Sequence, residues 1–239
     1  VDMIDTALSQ GVDALVTAPT QPDTAIPSFD KFAEKGIPVI LIDTDAEWDK
    51  KTTYIGTENY AAGQKAGEYL ASLLEEGDEV VLIRGALGNP ATDQRMDGAK
   101  DYLEEHGFVI AADQPADSDR AKGMSVMENI LETNPNIKGV YAANDDMALG
   151  ALRAIEAEGL DIPVIGTDGT IEAVESIIAG GLTGSVAQMP YDMGYKGVEA
   201  ALKAIKGEEV DKRIDSGVDI INPDNAEQKL SDLKAMLGE

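Results

Sequence analysis

Residues 139–168 read GVYAANDDMALGALRAIEAEGLDIPVIGTD, and this stretch decides the fold. An apolar run ends in the polar cluster Asn144, Asp145 and Asp146; a segment of helical period follows; a second apolar run, IPVIGTD, ends in Asp168. The pattern predicts a strand, a helix and a second strand. Residues 11–43, GVDALVTAPTQPDTAIPSFDKFAEKGIPVILID, repeat it, with Asp43 closing the second run. Ala18 lies 25 positions before Asp43, and Asn144 lies 24 before Asp168, so spacing matches as well as composition. Ligands of open parallel sheets bind beyond the carboxyl ends of the strands, which is where both polar clusters fall. The chain therefore reads as two related α/β lobes.

The wider composition agrees. At 239 residues with 43% hydrophobic and 27% charged side chains, the chain can bury a sizeable core. Its 45 acidic residues against 19 basic give a formal charge of -26. Such a surface repels phosphate backbones and anionic membranes, so a nucleic-acid partner is not expected. Cysteine is absent, which excludes disulfides and thiolate chemistry. No stretch is apolar enough to cross a bilayer. Nothing at the start resembles a signal peptide, which leaves the compartment open, because a mature chain reads the same way.

Going outward from the two repeats, the pattern predicts helices over 2–10, 24–35, 59–74, 91–106, 119–133, 170–179, 192–206 and 226–237. Strands are expected at 12–17, 37–42, 54–56, 79–84, 108–112, 183–188 and 214–221, with loops at 44–53 and 113–117. Strands alternating with helices of ten to sixteen residues argue for parallel sheets covered on both faces. The halves differ in one respect. Residues 79–133 place a strand, helix, strand and helix before the second repeat, whereas the first repeat is preceded only by the end of a helix. A strand-helix-strand module is expected ahead of it.

The segments VDALVTAPTQPDTA, IPVILIDTD, YIGTENYAAGQKAGEYL, RMDGAKDYL, QPADSDRAKGMSVMENIL, YAANDDMALGALRAIEA, IPVIGTDG and GSVAQMPYDMGYKGVEA occur in this order and span almost the whole chain. Together they resemble the periplasmic binding proteins of the ribose/galactose type, the sugar-capturing subunits of bacterial ABC importers. The resemblance implies two Rossmann-like lobes joined by a three-segment hinge, with crossovers near 57–58, 188–189 and 216–220. One lobe is then 1–57 plus 189–217, incomplete without its first strand-helix-strand module, and the other is 58–188 plus 218–239. It implies a monosaccharide or polyol as ligand, an ABC permease as partner and no cofactor. It further implies a periplasmic or cell-surface location, secreted or lipid-anchored. A monomer is expected unless another chain supplies the missing strands.

Carried over motif by motif, Asp43 is the aspartate that accepts from sugar hydroxyls, and Arg95 in DQRMDG the arginine that donates to ring and hydroxyl oxygens. Asn144 is the asparagine of the AND motif, Asp168 the aspartate of the GxDG motif, and Gln188 the glutamine before the hinge proline. Carboxylates as acceptors, an arginine fork as donor and amides that do both suit vicinal hydroxyls. The pattern departs from ribose-type proteins at Ala18, where they have asparagine, at Thr44, where arginine is common, and at Ser118 and Thr167, where they have aromatics. These positions bear on specificity for a pentose, hexose or polyol, and Trp48 and Tyr191 offer ring faces for stacking.

Each residue also has an ordinary reading. Asp43, Asn144 and Asp168 suit helix N-caps, Arg95 a surface ion pair, Trp48 packing over a lobe edge, and His106 a helix C-cap. Asp145 and Asp146 read as a chance pair in an acidic chain rather than a cation site. Gly85 and Gly88 lack a P-loop or dinucleotide fingerprint, and no hydrolase or zinc motif is present. The functional alternatives are the ligand-binding domain of a lactose-repressor-type regulator, and a truncated form without ligand competence.

Overall fold

In the computed structural model, residues 1–238 are described. The elements begin with α1 (Asp2–Gln10), β1 (Leu15–Thr17), α2 (Pro22–Glu34), β2 (Val39–Ile42), β3 (Thr53–Gly56) and α3 (Asn59–Ala71). They continue with β4 (Glu79–Arg84), α4 (Pro90–Glu105), β5 (Val109–Pro115), α5 (Arg120–Thr133), β6 (Ile137–Ala142) and α6 (Asp145–Ala157). The remainder is β7 (Val164–Asp168), α7 (Ile171–Ile178), β8 (Gly184–Gln188), α8 (Pro190–Ile205), β9 (Arg213–Asp215), β10 (Val218–Ile221) and α9 (Ala226–Leu237). They divide into two units: Val1–Glu58 with Met189–Gly217, and Asn59–Gln188 with Val218–Glu239.

The first unit holds a four-stranded sheet in the order β1-β2-β3-β9, parallel throughout. In β2, successive side chains point to opposite faces. Val39 and Leu41 join Phe29, Phe32 and Trp48 on the side of α2, and Ile40 joins Ile55, Ala200 and Ala201 on the side of α8. A sheet buried on both faces needs a continuous apolar run, which VILI supplies. Helix α2 opens with Pro22 at its first turn, where the missing N–H costs nothing. It gives way to Gly36 at φ 71°, a left-handed exit that glycine adopts without strain.

The second unit holds six strands in the order β10-β8-β7-β6-β4-β5. Five are parallel, and β10 closes one edge antiparallel to β8. Strand order reverses between β4 and β6, the kind of switch point at which α/β sheets take ligands. Side-chain oxygens cap four of its helices: Asn89 Oδ1 accepts from the Ala91 and Thr92 amides, Asp119 from Lys122, Asn144 from Met147 and Thr170 from Ala173. The two sequence repeats are the adjacent parallel pairs β1/β2 and β6/β7.

Two expectations are corrected. The loop expected at 113–117 belongs in part to β5, which runs to Pro115 because Leu82, Ile83 and Arg84 pair with Asp113, Gln114 and Pro115. Arg84 Nη2 donates to Asp113 Oδ2 at 2.9 Å across that pairing. Pro115, with no N–H, is tolerated because β5 is an edge strand. The single strand expected at 214–221 is two, β9 and β10, in different sheets, separated at Gly217 with φ 82°. Residues 44–52 form the expected loop, and Trp48 within it is buried, with its indole Nε1 donating to Asp30 Oδ1 at 3.0 Å and its ring 5.4 Å from that of Phe29.

Candidate functional site

In the second unit the switch point gathers side chains from four elements. Arg95 lies on α4, on a face that α3 covers closely. Gly63 of α3 and Gly98 of α4 make this possible: a Cβ at Gly63 would fall 1.9 Å from the Arg95 carbonyl oxygen, and one at Gly98 would fall 2.1 Å from that of Tyr60. The close pass buries Arg95, correcting its reading as a surface ion pair. Its Nε donates to Asn59 Oδ1 at 2.9 Å, and its Nη1 to the Ala143 carbonyl at 3.0 Å and to Asp168 Oδ1 at 3.4 Å. A buried guanidinium is stable only when its N–H fork is satisfied, and these acceptors fix its plane.

Asp168 is the last residue of β7 and has φ 130°, a conformation that L side chains rarely adopt. It is not a helix N-cap; Thr170 caps the helix that follows. Gln188, the last residue of β8, donates through Nε2 to Asp168 Oδ1 at 2.7 Å. With a side chain 32% exposed, Asp168 presents a carboxylate partly open to solvent and backed by an arginine and an amide. Such a carboxylate accepts from hydroxyl groups without losing its charge compensation.

Asn144 stands between β6 and α6. Its Oδ1 accepts from the Met147 amide at 2.9 Å and its Nδ2 donates to the Ser118 carbonyl at 3.3 Å, so the N-cap reading is met. Asp117 and Ser118 both have left-handed backbone, at φ 52° and 58°, and that turn places the Ser118 carbonyl before Asn144. Thr167 does not join the cluster: it is fully buried, and its hydroxyl meets that of Tyr141 at 2.8 Å. Burial pushes the Tyr141 phenol up to about 12, with the Thr167 hydrogen bond opposing the shift.

In the first unit Asp43 follows β2, exposed and at φ 63°, so it is no N-cap either. Its amide donates to the Ile55 carbonyl at 2.9 Å, its carbonyl accepts from Tyr54 Oη at 2.7 Å, and its Oδ2 accepts from Thr44 Oγ1 at 3.0 Å. Ala18 follows β1 and is exposed. Tyr191 lies exposed in the first turn of α8, whereas the buried Trp48 has no free ring face for a ligand. His106 is the C-cap of α4, its Nδ1 2.7 Å from the Tyr102 carbonyl.

Several supporting residues escape a reading of the sequence. Asn59 holds Arg95; the buried Asp145 and Ser185 bond to each other, and Asp145 also takes the exposed Thr170, two residues after Asp168. The bare Gly166 carried a signal, since a Cβ there would lie 2.3 Å from Asp145 Oδ1. Asp145 and Asp146 diverge, Asp146 pairing outward with Arg120 at 2.6 Å. That guanidinium also meets Glu172 at 2.6 Å, and the two carboxylates raise its pKa. Among the described residues no group of three or more His, Cys, Asp or Glu is arranged to hold a metal ion.

A family model described as a periplasmic binding protein domain matches residues 1–209. The chain belongs to the periplasmic binding protein family. It is similar to the ribose import binding protein RbsB of Escherichia coli, with 38% identity over 202 residues, 84% of this chain and 68% of that protein. The RbsB of Bacillus subtilis is 38% identical over 211 residues, covering 88% and 69%. Among solved structures, a periplasmic solute-binding protein from Actinobacillus succinogenes with bound D-allose superimposes with a TM-score of 0.87. It is 29% identical, with 95% of this chain and 84% of that one covered. A solute-binding protein from Bacillus halodurans with bound myo-inositol gives a TM-score of 0.84 at 32% identity, covering 96% and 81%. These relatives are binding proteins rather than enzymes. Among the described residues of this family member, no helix is long and apolar enough to cross a membrane.

Proposed function

We propose that this chain is the solute-binding component of an ABC importer and captures a monosaccharide or related polyol outside the cytoplasm, without catalysing a reaction. The observation that carries the proposal is the Asp168 carboxylate, partly exposed and held by Arg95 and Gln188 at the carboxyl ends of β7 and β8. A preset acceptor backed by a buried donor fork is what vicinal hydroxyls require. The ribose import proteins among its relatives, and the D-allose and myo-inositol bound to similar structures, support that ligand class. Asp43, Arg95, Asn144, Asp168 and Gln188 are its ligand-binding residues. Asn144 acts with its amide already oriented by Met147 and Ser118. Uptake then depends on a permease that distinguishes loaded from empty protein, since equal affinity for both would shift no population. The periplasm or the cell surface is the compartment that this role requires.

Titration calorimetry against ribose, allose, galactose, arabinose and myo-inositol tests the proposal. One-site binding of at least one of them is expected, with loss of at least about tenfold in affinity, some 1.4 kcal/mol, in Asp168→Ala. No heat from any of the five, at protein concentrations high enough to detect millimolar affinity, overturns it.

A further inference from the structure

Asp145 turns inward one residue after Asn144 and is 1% exposed. Its Oδ1 accepts from Ser185 Oγ at 2.6 Å; its Oδ2 accepts from the Thr170 amide at 2.8 Å and from Thr170 Oγ1 at 3.0 Å. Ser185 Oγ in turn accepts from the Gly169 amide at 3.0 Å. One carboxylate carried on α6 thus grips both residues that follow Asp168, Thr170 directly and Gly169 through a serine on β8. Gly166 leaves room for it on β7. Asp168 itself is held at φ 130°, a backbone state that L side chains rarely adopt and that persists only where its surroundings impose it.

We infer that Asp145 is the positioning residue of the sugar site: it clamps the turn at Gly169 and Thr170, and so keeps the Asp168 carboxylate on Arg95 and Gln188 without itself touching the ligand. The inference rests on the reading of Asp168 as a sugar acceptor. Its chemistry accounts for an acid at a buried position. Three donors converge on two oxygens, a demand that a carboxylate meets and a single amide oxygen does not. Burial pushes the Asp145 carboxyl up to about 7, while the hydrogen bonds from Ser185 and Thr170 pull it down and the charge of Asp168 raises it. The charge facing it comes from Asp168 on β7; its partners on α7 and β8, Thr170 and Ser185, are neutral.

The test measures two quantities in the wild type, Asp145→Ala, Asp145→Asn and Asp168→Ala: amide exchange at Gly169 and Thr170 in ligand-free protein, and sugar affinity by calorimetry. Asp145→Ala is expected to speed exchange at both amides while β4 and β6 stay protected, and to weaken binding at least about tenfold. Asp145→Asn, which keeps one acceptor oxygen for Thr170 and loses the acceptor for Ser185, is expected to fall between the wild type and Asp145→Ala in both exchange and affinity. Asp168→Ala should lose binding with both amides unchanged. Wild-type affinity or unchanged exchange in Asp145→Ala overturns the inference, as does an Asn variant no better than Ala. Should Asp145→Ala fail to fold, Ser185→Ala, which removes the donor to Asp145 Oδ1 and with it the link to Gly169, takes its place, and wild-type affinity there overturns it equally. If the wild type binds no sugar, the transport reading fails, and the exchange data alone decide whether Asp145 holds the turn.

Discussion

Helices α3 and α8 are counterparts with different fates. Each follows a strand that ends its unit's run, and each begins with the same signature: Tyr60, Gly63 and Lys65 in α3, Tyr191, Gly194 and Lys196 in α8. Each packs on its sheet through small residues, Ala62 and Ala66 in one, Ala200 and Ala201 in the other. On α3 the glycine admits α4, whose Arg95 carbonyl fills the place of a Cβ. On α8 nothing lies within 4 Å of the equivalent position. There Tyr191, Tyr195, Val198, Leu202 and Ile205, at alternating spacings of four and three, remain 49–60% exposed. The same glycine brings a buried arginine into place in one unit and positions nothing in the other. A motif acquires its role from what packs against it.

Paired substitutions can break or sharpen this contrast. The largest difference is expected between Leu70→Ala on α3, fully buried, and Leu202→Ala on α8. Urea denaturation should show a loss of about 2–5 kcal/mol for the first and a change within about 0.5 kcal/mol for the second. Gly63→Ala, with its methyl driven into a carbonyl, should cost about 3 kcal/mol and weaken sugar binding through Arg95. Gly194→Ala, at a half-buried helix glycine with open space where the methyl would go, should gain about 0.5–1 kcal/mol.

Asp145 adds a pH arm confined to the second unit. Its folded-state pKa, about 7, lies above the ordinary aspartate value of 3.8. Its contribution is therefore fully present below the unfolded pKa and is lost as pH rises through the folded one. Stability from this group should fall between about pH 4 and pH 7, and Asp145→Asn should flatten that part of the profile in urea titrations at stepped pH. The smallest effect is expected in dye binding. Replacing Val198 and Leu202 together by lysine should lower fluorescence of an apolar-surface dye without moving the unfolding midpoint of the second unit.

Much of the architecture was legible because the apolar runs and their helical and strand periods are local properties of the chain. The strand-end positions of Asp43, Asp168 and Gln188 followed from them. The burial of Arg95 was not legible, since it depends on α3 and α4 passing closely at Gly63 and Gly98, thirty-five residues apart. Asp145 was hidden for a related reason: its three donors come from β8 and the turn after β7, and in an acidic chain a pair of aspartates carries little signal. The partners of Trp48 were not legible because its neighbours in sequence are polar, whereas Phe29 and Asp30, which it meets, lie on the preceding helix. The extension of β5 through Pro115 was not legible, since only the edge position of the strand makes a proline compatible with it.

The burial of Trp48 has a spectroscopic consequence. It is the chain's only tryptophan and belongs to the core of the first unit, so indole emission follows the melting of that unit alone. Far-ultraviolet circular dichroism follows the helices of both. Coincident transitions by the two probes would mean that the units unfold as one cooperative body, and separated transitions would give each unit its own stability without a single engineered label.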